Sequence, residues 1–383
     1  MPPRQFLWVT DGQESVSDLV IGGAGIFGLT IAQQAASCGF SVKIIEQKNQ
    51  IGGNMASHID EETGIEVHTY GSHIFHTNNE RVWQYVNQFT SFVPYIHRVR
   101  TTLRDGSVIP LPFGLATFST YYKMAFTPEM MRRFVETFPD KKENFEQMAI
   151  SSIGRELYKA VVEGYTRKQW GRDPKELPAS TIKRLPVRYT WDDSYFTDKY
   201  QGLPIDGYQT WMTRMADHPL IEIDFNKDAL NTPITTPYVH TGEIDRFFAH
   251  AYGRLNWRTV DLVEERPNVD DFQGCPVMNY ADASIRYTRV HEYKHYRPDR
   301  EARGTIIHKE YARDAKQDEV GAYPVNTIDD QIKLKKYREA ASAMRGVWFG
   351  GRLGSYKYID MHAAIASALT MWSNEIKPYL EAQ

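Results

Sequence analysis

Residues 18–28 read Asp-Leu-Val-Ile-Gly-Gly-Ala-Gly-Ile-Phe-Gly, and this stretch predicts the fold. Its first part is a short apolar run typical of a buried parallel strand. Gly23, Gly25 and Gly28 then supply the tight turn, the close backbone approach and the helix-strand contact of a dinucleotide cradle. An apolar helix pattern follows, and its N-terminus would point at a pyrophosphate. Glu46 ends a second β-branched run, at the distance where an acidic side chain meets a ribose hydroxyl.

The glycine fingerprint needs its context, because ordinary glycine turns also match it. The strand before it, the helix after it and Glu46 together predict dinucleotide binding. The fingerprint does not separate FAD from NAD, but the second glycine pair in residues 51–54, Ile-Gly-Gly-Asn, resembles the flavin amine-oxidase-like superfamily and favours FAD. The cradle predicts these cofactor-binding residues: Gly23, Ala24, Gly25, Phe27, Gly28, Glu46, Gln47, Gly53 and Asn54.

The composition excludes several classes of function. The chain has 383 residues, enough for two or three domains with a buried core. Its 45 basic and 48 acidic residues give a net charge of −3, so no overall field favours a nucleic acid or an acidic membrane as a partner. Cys38 and Cys275 make no disulfide framework and suit a reducing compartment.

The sequence gives no sign of export or membrane insertion. Residues 1–14 lack the basic start and continuous apolar core of a signal peptide, and are predicted to be a tail or a short extra strand. No apolar run approaches the roughly 20 residues that a membrane span requires. We therefore expect a cytoplasmic protein without a membrane span.

Three histidines within residues 65–77 raise the question of a metal site. His73 and His76 flank an apolar pair in a segment that contains glycine, without nearby carboxylates or cysteines that complete a recognisable ligand set. No metal is expected, and the alternative is a pair of structural histidines near a bend.

The middle of the chain predicts a hairpin followed by helices. Residues 95–112 alternate in polarity and turn at Asp105-Gly106, as a β-hairpin does. Thr127 is a plausible N-cap before a proline, and an apolar stripe runs over residues 145–161 at near-helical spacing.

The second half of the chain predicts a sheet and a return to the cofactor. Residues 219–238 and 258–312 contain short β-prone segments with polar breaks, which predict an antiparallel sheet. Asp360 is a plausible N-cap of an apolar helix over residues 361–372, and that helix start would face a flavin ring. The cofactor domain is therefore predicted to be assembled from both ends of the chain.

The predicted fold class is α/β, a Rossmann-like FAD-binding domain with an inserted helical domain and an antiparallel β-sheet domain. The FAD-binding domain is assigned to residues 15–84, 208–246 and 338–383. The helical domain, expected to cover the substrate, is assigned to residues 112–180. The sheet domain is assigned to residues 85–111, 185–207 and 247–337.

Five longer motifs lie downstream of the cradle, at residues 71–77, 164–170, 177–188, 287–289 and 351–361. They include Gly-Ser-His-Ile-Phe-His-Thr, Gly-Tyr-Thr-Arg-Lys-Gln-Trp and Gly-Arg-Leu-Gly-Ser-Tyr-Lys-Tyr-Ile-Asp-Met. In this order they resemble the bacterial UDP-galactopyranose mutases, from about residue 18 to the C-terminus. Several long motifs in one order are far more specific than a glycine fingerprint.

The resemblance implies a redox-neutral isomerisation of UDP-galactopyranose to UDP-galactofuranose, a donor for cell-surface glycans. Reduced FAD is required without being consumed, because in this family flavin N5 displaces UDP and forms an adduct with the sugar. Guanidinium groups suit this reaction, since they match the phosphate oxygens of the departing diphosphate. The resemblance also implies a homodimer.

Particular residues take roles from the resemblance. Arg184, Arg289 and His76 are the expected catalytic residues, and both arginines are expected to bind the diphosphate. The further cofactor-binding residues are His73, Arg258, Gly351, Asp360 and Met361. The expected substrate-binding residues are Val161 and Tyr165 at the uracil, Trp170 at the sugar, Tyr195, Tyr311, Tyr358 and Arg352 at the diphosphate, and Asn279, Arg184 and Arg289.

Three positions depart from the family pattern, and they leave the nucleotide base and the sugar open. Phenylalanine is expected where Val161 stands, and proline where Arg286 and Glu243 stand. The alternatives are a mutase for another nucleotide sugar, such as UDP-N-acetylgalactosamine or dTDP-fucose, and a flavin oxidoreductase. An inactive FAD-binding scaffold is a further alternative, which the presence of Arg184 and Arg289 disfavours.

Overall fold

The computed structural model describes residues 17–184, 186–232, 237–317 and 319–383, with the side chains of residues 180, 183 and 184 left out. The N-terminal segment over residues 1–14 therefore lies outside the described residues. In chain order the strands are β1 (Leu19–Gly22), β2 (Val42–Ile45), β3 (Ser57–Ile59), β4 (Glu66–His68), β5 (Phe75–Thr77), β6 (Phe92–Pro94), β7 (Val99–Thr102), β8 (Val108–Leu111), β9 (Tyr200–Pro204), β10 (Ile221–Asp224), β11 (Tyr238–His240), β12 (Trp257–Glu265), β13 (Val277–Tyr280), β14 (Arg289–Glu292), β15 (Ile307–Asp314), β16 (Tyr323–Pro324) and β17 (Val347–Phe349).

The α-helices are α1 (Ile26–Ser37), α2 (Glu80–Val86), α3 (Leu115–Tyr122), α4 (Pro128–Glu136), α5 (Phe145–Leu157), α6 (Gly164–Trp170), α7 (Tyr208–Ala216), α8 (Ile244–Phe247), α9 (Ile328–Ser342), α10 (Gly351–Ser355), α11 (Met361–Met371) and α12 (Lys377–Glu381). Short 3₁₀ segments occupy Gly53–Met55, Pro174–Glu176, Ala179–Arg184, Ala229–Asn231 and Tyr293–Tyr296. Wider π-helical turns occupy Tyr158–Glu163 and Trp372–Ile376.

A five-stranded parallel sheet forms the first layer, in the order β10-β2-β1-β11-β17. Leu19 and Ile21 point to one face of β1 and are fully buried, where α1 packs together with α7 and α11. The strands predicted over residues 219–238 join this sheet as β10 and β11, so their assignment to an antiparallel sheet was wrong. Short β-prone runs give the strand but not its partner, because pairing depends on residues far away in sequence.

A seven-stranded sheet forms the second layer, in the order β16-β12-β15-β14-β13-β7-β8. All its neighbouring strands are antiparallel except β13 and β7, which are parallel. The predicted hairpin is confirmed, since β7 and β8 pair around Asp105 and Gly106. Smaller antiparallel sheets, β5-β9-β6 and β3-β4, connect the two layers.

The helical region lies between β8 and β9. α4 begins as predicted, with Thr127 as N-cap accepting a hydrogen bond from the Met130 N–H over 3.2 Å. The predicted apolar stripe is buried, but it is not one regular helix. Gly154 breaks α5 at φ +79°, where a Cβ would lie 2.7 Å from the Phe138 ring, and the π-helical turns follow before α6.

The parallel sheet contains both the first strand, β1, and the last strand, β17, of the described chain. The predicted α/β fold, with a Rossmann-like domain combined with a helical region and a second sheet, is confirmed. The domain boundaries assigned from the sequence stay predictions. Within the described ranges, none of the helices has the length and apolar composition to cross a bilayer.

Candidate active site

A large cavity opens at the carboxyl edge of the parallel sheet, which is where α/β folds of this kind bind ligands. Its empty space, part of which is open to solvent, amounts to about 1230 Å³. Ala24 and Arg258 apart, the predicted cofactor residues all line this cavity: Gly23, Gly25, Phe27, Gly28, Glu46, Gln47, Gly53, Asn54, His73, Gly351, Asp360 and Met361.

The first glycine loop is shaped by backbone contacts. A Cβ on Gly28 would lie 2.2 Å from the carbonyl oxygen of Gly23, so helix and turn approach more closely than any side chain allows. A Cβ on Gly25 would meet nothing within 4 Å and would project into open space. Gly25 is also the N-cap of α1, whose free N–H groups favour an anion. This cradle fits the pyrophosphate of a dinucleotide.

The loop is held from two sides. The Ala24 N–H donates to Oε2 of Glu46 over 2.7 Å, and the Lys48 N–H donates to Oε1 over 2.9 Å. The buried carboxylate therefore fixes the loop while still lining the cavity. The second glycine pair joins the first loop directly, because Gly52 pairs with Gly25 and donates to the carbonyl oxygen of Ala24 over 2.9 Å.

The C-terminal part of the chain closes the cavity. Gly351 opens α10, and Asp360 is the N-cap of α11, although its side chain makes no capping hydrogen bond. His73 lies in the same wall, and its Nδ1 donates to the carbonyl oxygen of Gly71 over 2.7 Å. Burial lowers the pKa of His73 to about 3, so its ring is neutral.

His240, at the end of β11, is a cavity residue that the sequence did not reveal. It is buried, its Nδ1 lies 3.1 Å from the Tyr238 hydroxyl, and burial lowers its pKa to about 4. Its Nε2 is buried without a hydrogen-bond partner among the described residues. The backbone of Glu243 also acts on this ring and raises its pKa, and a dinucleotide in the cavity would offer Nε2 a further partner. The sequence signal that would have pointed to His240 is its position at the end of a strand, directly before Thr241-Gly242.

Two predicted residues lie just outside this lining. Ala24 is fully buried behind the loop that it helps to shape. Arg258 donates to the carbonyl oxygens of Lys168 and Gln169 at 3.0 and 2.9 Å, so it holds the C-terminal end of α6. The same guanidinium pairs with Asp314 at 2.9 Å.

His76 lies against the start of α11. Its Nδ1 is 2.7 Å from Oδ2 of Asp198, and its ring stacks on Phe196 with centroids 3.7 Å apart. His362, in the first turn of α11, meets the same ring edge-on at 4.7 Å. His76 therefore supports the wall of the cavity that Asp360 and Met361 line.

A row of polar side chains crosses three strands of the second sheet. Asn279 on β13 lies opposite Arg289 on β14, and Arg289 lies opposite Glu310 on β15. Side chains directly opposite each other share one face. The Arg289 Nε donates to Oε1 of Glu310 over 3.0 Å, whereas Oδ1 of Asn279 is buried without a partner among the described residues. This face offers a cation and an unused acceptor to a ligand.

Tyr165, Tyr195 and Tyr323 lie close enough to Arg289 to act on its charge, and Tyr358 lies next to them. Burial raises the pKa of Tyr165, and the titratable groups next to it include Arg289, Tyr195 and Tyr358. Tyr323 stacks on Tyr358 with centroids 5.4 Å apart. The Arg352 guanidinium lies 4.6 Å from the Tyr358 centroid and 5.8 Å from the Tyr323 centroid, and Arg352 also lines the cofactor cavity. The two candidate sites therefore meet at Arg352.

Tyr311, one of the three tyrosines predicted at the diphosphate, lies on the other face of the sheet. It follows Glu310 on β15, and consecutive strand residues point to opposite faces. Its ring meets Tyr287 edge-on with centroids 6.0 Å apart. Tyr323 takes the place beside Arg289 and Tyr358 that was expected for Tyr311. Alternation along β15 was the signal available in the sequence.

Three remaining substrate predictions have different outcomes. Val161 is 4% exposed in the main core, within the π-helical turns, so the structure places it among packed side chains. Trp170, the last residue of α6, is half-buried against the same core. Arg184 ends a 3₁₀ segment, and its side chain lies outside the described part of the chain.

Comparison with known proteins bears on this site. The family model for UDP-galactopyranose mutase matches residues 160–358. A probable UDP-galactopyranose mutase of Klebsiella pneumoniae is 41% identical over 359 residues, which cover 92% of this chain and 93% of that one. The chain belongs to the UDP-galactopyranose mutase family. It is therefore an isomerase of the sugar-nucleotide mutase type, as the motifs predicted.

Three further matches refine this membership. A dTDP-fucopyranose mutase of Escherichia coli is 39% identical over 366 residues, which cover 92% of this chain and 97% of that one. The crystal structure of reduced UDP-galactopyranose mutase superposes with a TM-score of 0.72 at 13% identity, over 95% of this chain and 94% of that one, and shows the common fold. A model for NAD(P)-binding Rossmann-like domains matches residues 21–89, which confirms the dinucleotide-binding fold.

Proposed function

We propose that this mutase interconverts UDP-galactopyranose and UDP-galactofuranose with reduced FAD as its cofactor. The observation that carries the proposal is the row of Asn279, Arg289 and Glu310, which offers a cation and an unused acceptor beside a dinucleotide cavity. Family membership and the relative named as a probable UDP-galactopyranose mutase support the substrate. The resemblance further supports a cytoplasmic homodimer that provides galactofuranose for cell-surface glycans.

The cofactor cavity supports FAD through its backbone. Gly25 leaves room at the start of α1 for the pyrophosphate, and Glu46 lies where a ribose hydroxyl would donate to it. His240 offers a buried ring nitrogen to the same ligand. The chemistry that bound reduced FAD supplies in this proposal is attack by its N5 atom on the anomeric carbon of the sugar.

The residues of the second sheet hold the nucleotide. Terminal nitrogens of Arg289 would donate to the diphosphate, whose negative charge grows as the glycosidic bond breaks. Hydroxyls of Tyr323 and Tyr358 would donate to the same oxygens from the opposite side. The free Oδ1 of Asn279 suits the imide N–H of uracil, which is a hydrogen-bond donor.

A dTDP-sugar is the second candidate substrate, because one relative is named dTDP-fucopyranose mutase. Thymine presents the same imide N–H as uracil, and both nucleotides carry a diphosphate. The row of Asn279, Arg289 and Glu310 therefore suits both substrates, and Val161 lacks the aromatic ring that the resemblance predicts at the base.

A product assay tests the proposal. Dithionite-reduced, FAD-loaded protein is incubated with UDP-galactofuranose and, separately, with dTDP-fucofuranose, and the products are separated by chromatography. We expect the pyranose form of UDP-galactose at the higher kcat/KM, and no product from oxidised protein.

Two results would contradict it. Faster turnover of dTDP-fucofuranose would assign the enzyme to that sugar, and equal turnover by oxidised and reduced protein would remove the role of reduced FAD. Net consumption of reduced flavin with an oxidised sugar product would instead make the protein an oxidoreductase.

A further inference from the structure

A buried carboxylate stands at the centre of the second sheet. Glu310 is 2% exposed, and its two oxygens accept hydrogen bonds from Thr288 at 3.1 Å, from Arg289 Nε at 3.0 Å and from His291 Nε2 at 3.1 Å. Burial opposes its charge, but Arg289 and His291 outweigh that effect and lower the pKa of the carboxyl to about 2. Glu310 is therefore ionised and can only accept.

The acceptor at Glu310 fixes the direction of a longer chain of hydrogen bonds. Because Glu310 accepts, Nε2 of His291 carries the proton. Burial lowers the pKa of His291 against the effect of Glu310, so the ring is neutral and its Nδ1 accepts. The Ser72 hydroxyl lies 2.5 Å from that Nδ1 and donates to it, and the Tyr296 hydroxyl donates to Ser72. Every donor in this series of hydrogen bonds thus points towards Glu310.

The near end of this chain fixes Arg289. Within the described residues, the hydrogen bond of the guanidinium is the one from Nε to Glu310, so its terminal nitrogens stay available. Arginine binds phosphate through a planar fork, and such a fork is useful only when its plane is held. Glu310 holds that plane, and the hydrogen bonds to Glu310 keep the carboxylate itself from turning.

The far end of the chain reaches the cofactor cavity. Ser72 precedes His73, which lines that cavity, and follows Gly71, which has φ +84°. A Cβ on Gly71 would lie only 3.7 Å from Nε2 of His291 and 3.9 Å from Oε2 of Glu310, so this segment packs directly on the chain. One set of hydrogen bonds therefore spans the cofactor wall and the diphosphate arginine.

We propose that Ser72, His291 and Glu310 form a relay that positions the Arg289 guanidinium for the diphosphate and ties it to the cofactor wall at His73. This inference rests on the proposed function, because it assigns Arg289 to a nucleoside diphosphate. The three relay members are positioning residues, since they act on the ligand through Arg289.

The test compares ligands with and without the diphosphate. Binding of UDP, uridine, dTDP and thymidine to FAD-loaded wild type, Ser72→Ala and Glu310→Gln is measured by titration calorimetry. We expect Ser72→Ala to weaken both nucleoside diphosphates about fivefold and Glu310→Gln to weaken them more, whereas both nucleosides bind unchanged. Ser72→Thr retains the hydroxyl and should restore most of the affinity.

Tyr293→Phe is the matched control. It removes another buried hydroxyl of the same region, which bonds the His68 carbonyl and His308, and which has no hydrogen bond to the relay. We expect it to lower the melting temperature as much as Ser72→Ala while leaving UDP affinity unchanged.

Three outcomes would overturn the relay. Ser72→Ala and Glu310→Gln that bind UDP as tightly as wild type would remove it. An equal loss for uridine and UDP would assign both variants to general destabilisation. Wild type that binds neither UDP nor dTDP would refute the proposed function, and the relay with it.

Discussion

The cavity at the parallel sheet and the face of the second sheet that carries Arg289 are built in different ways. The cavity is shaped by backbone, because its glycine loops and helix starts lie at the ends of parallel strands. The face with Arg289 is shaped by side chains from different strands, such as Asn279, Arg289 and Glu310, and by tyrosines from other segments. Most residues that the motifs named for the cofactor line the cavity, whereas the grouping around Arg289 depends on strand register. A site shaped by backbone can be predicted from a short stretch of sequence, whereas a site shaped by side chains from several strands cannot.

Removing the central cation should have the largest effect. We expect Arg289→Ala to lower kcat/KM by at least about 100-fold, because a preorganised donor to developing charge contributes roughly that factor. FAD content, read from flavin absorbance, should not change. Arg289→Lys should recover only part of the activity, because lysine cannot form the same fork.

Arg100→Ala is the control for that variant. Arg100 lies on β7 of the same sheet and pairs with Asp193 at 2.8 Å. Near-normal activity of Arg289→Ala would withdraw Arg289 from the site, and an equal loss in Arg100→Ala would point to general damage of the sheet.

Two glycines test whether the cavity depends on backbone. Gly28→Ala places a Cβ 2.2 Å from the Gly23 carbonyl, so it should lower the melting temperature of the apoprotein and abolish most FAD binding. Gly25→Ala meets nothing within 4 Å, and its φ of −76° is ordinary for alanine. It should leave the apoprotein stable and weaken FAD about tenfold, because the methyl group occupies ligand space. FAD binding by Gly25→Ala that matches wild type would contradict this placement of the pyrophosphate.

Two tyrosines test whether strand register in the second sheet decides which side chains lie beside Arg289. Tyr323→Phe should weaken UDP about tenfold, because a hydrogen bond to a charged group contributes roughly 1.5–3 kcal/mol. Tyr311→Phe should change UDP affinity less than about twofold, since Tyr311 lies on the opposite face of the sheet. Titration calorimetry with UDP decides between them, and the reverse order would restore Tyr311 to the site.

Val161 separates core packing from base contact. Because Val161 is 4% exposed, Val161→Phe should overpack the core and destabilise the protein by roughly 1–3 kcal/mol, with UDP affinity unchanged. Thermal melting and UDP titration of the same preparation measure both effects. Tighter UDP binding with unchanged melting would instead place this position at the uracil.

His240 should give the smallest effect. His240→Phe retains a ring but removes Nε2, so FAD should bind about three- to fivefold more weakly, in line with one neutral hydrogen bond. Tyr238→Phe removes the hydroxyl that contacts Nδ1 of His240 but leaves Nε2 in place. Its FAD affinity should stay close to wild type. Equal losses in the two variants would show that the pair matters only for packing.

The outcome for particular elements shows how far the sequence reaches. The hairpin at Asp105 and the N-cap at Thr127 were predictable, because turn and cap chemistry depend on a few adjacent residues. β10 and β11 were expected to be antiparallel, although residues 208–246 were assigned to the FAD-binding domain, because a short apolar strand does not specify its neighbour. Tyr311 was assigned to the diphosphate by the resemblance, and the alternation along β15 places it on the face opposite Glu310.

The sequence alone determined the dinucleotide cradle and the family, because glycine spacing, strand pattern and ordered motifs act over short stretches, and the role of Arg184 and Arg289 at a diphosphate stays a prediction. The tertiary structure decided which tyrosines meet Arg289, that His240 offers a free ring nitrogen, and that Ser72 reaches Glu310 through His291. These contacts join residues up to 219 positions apart. Such contacts depend on sheet register and on burial in the folded chain, and neither is visible along the sequence.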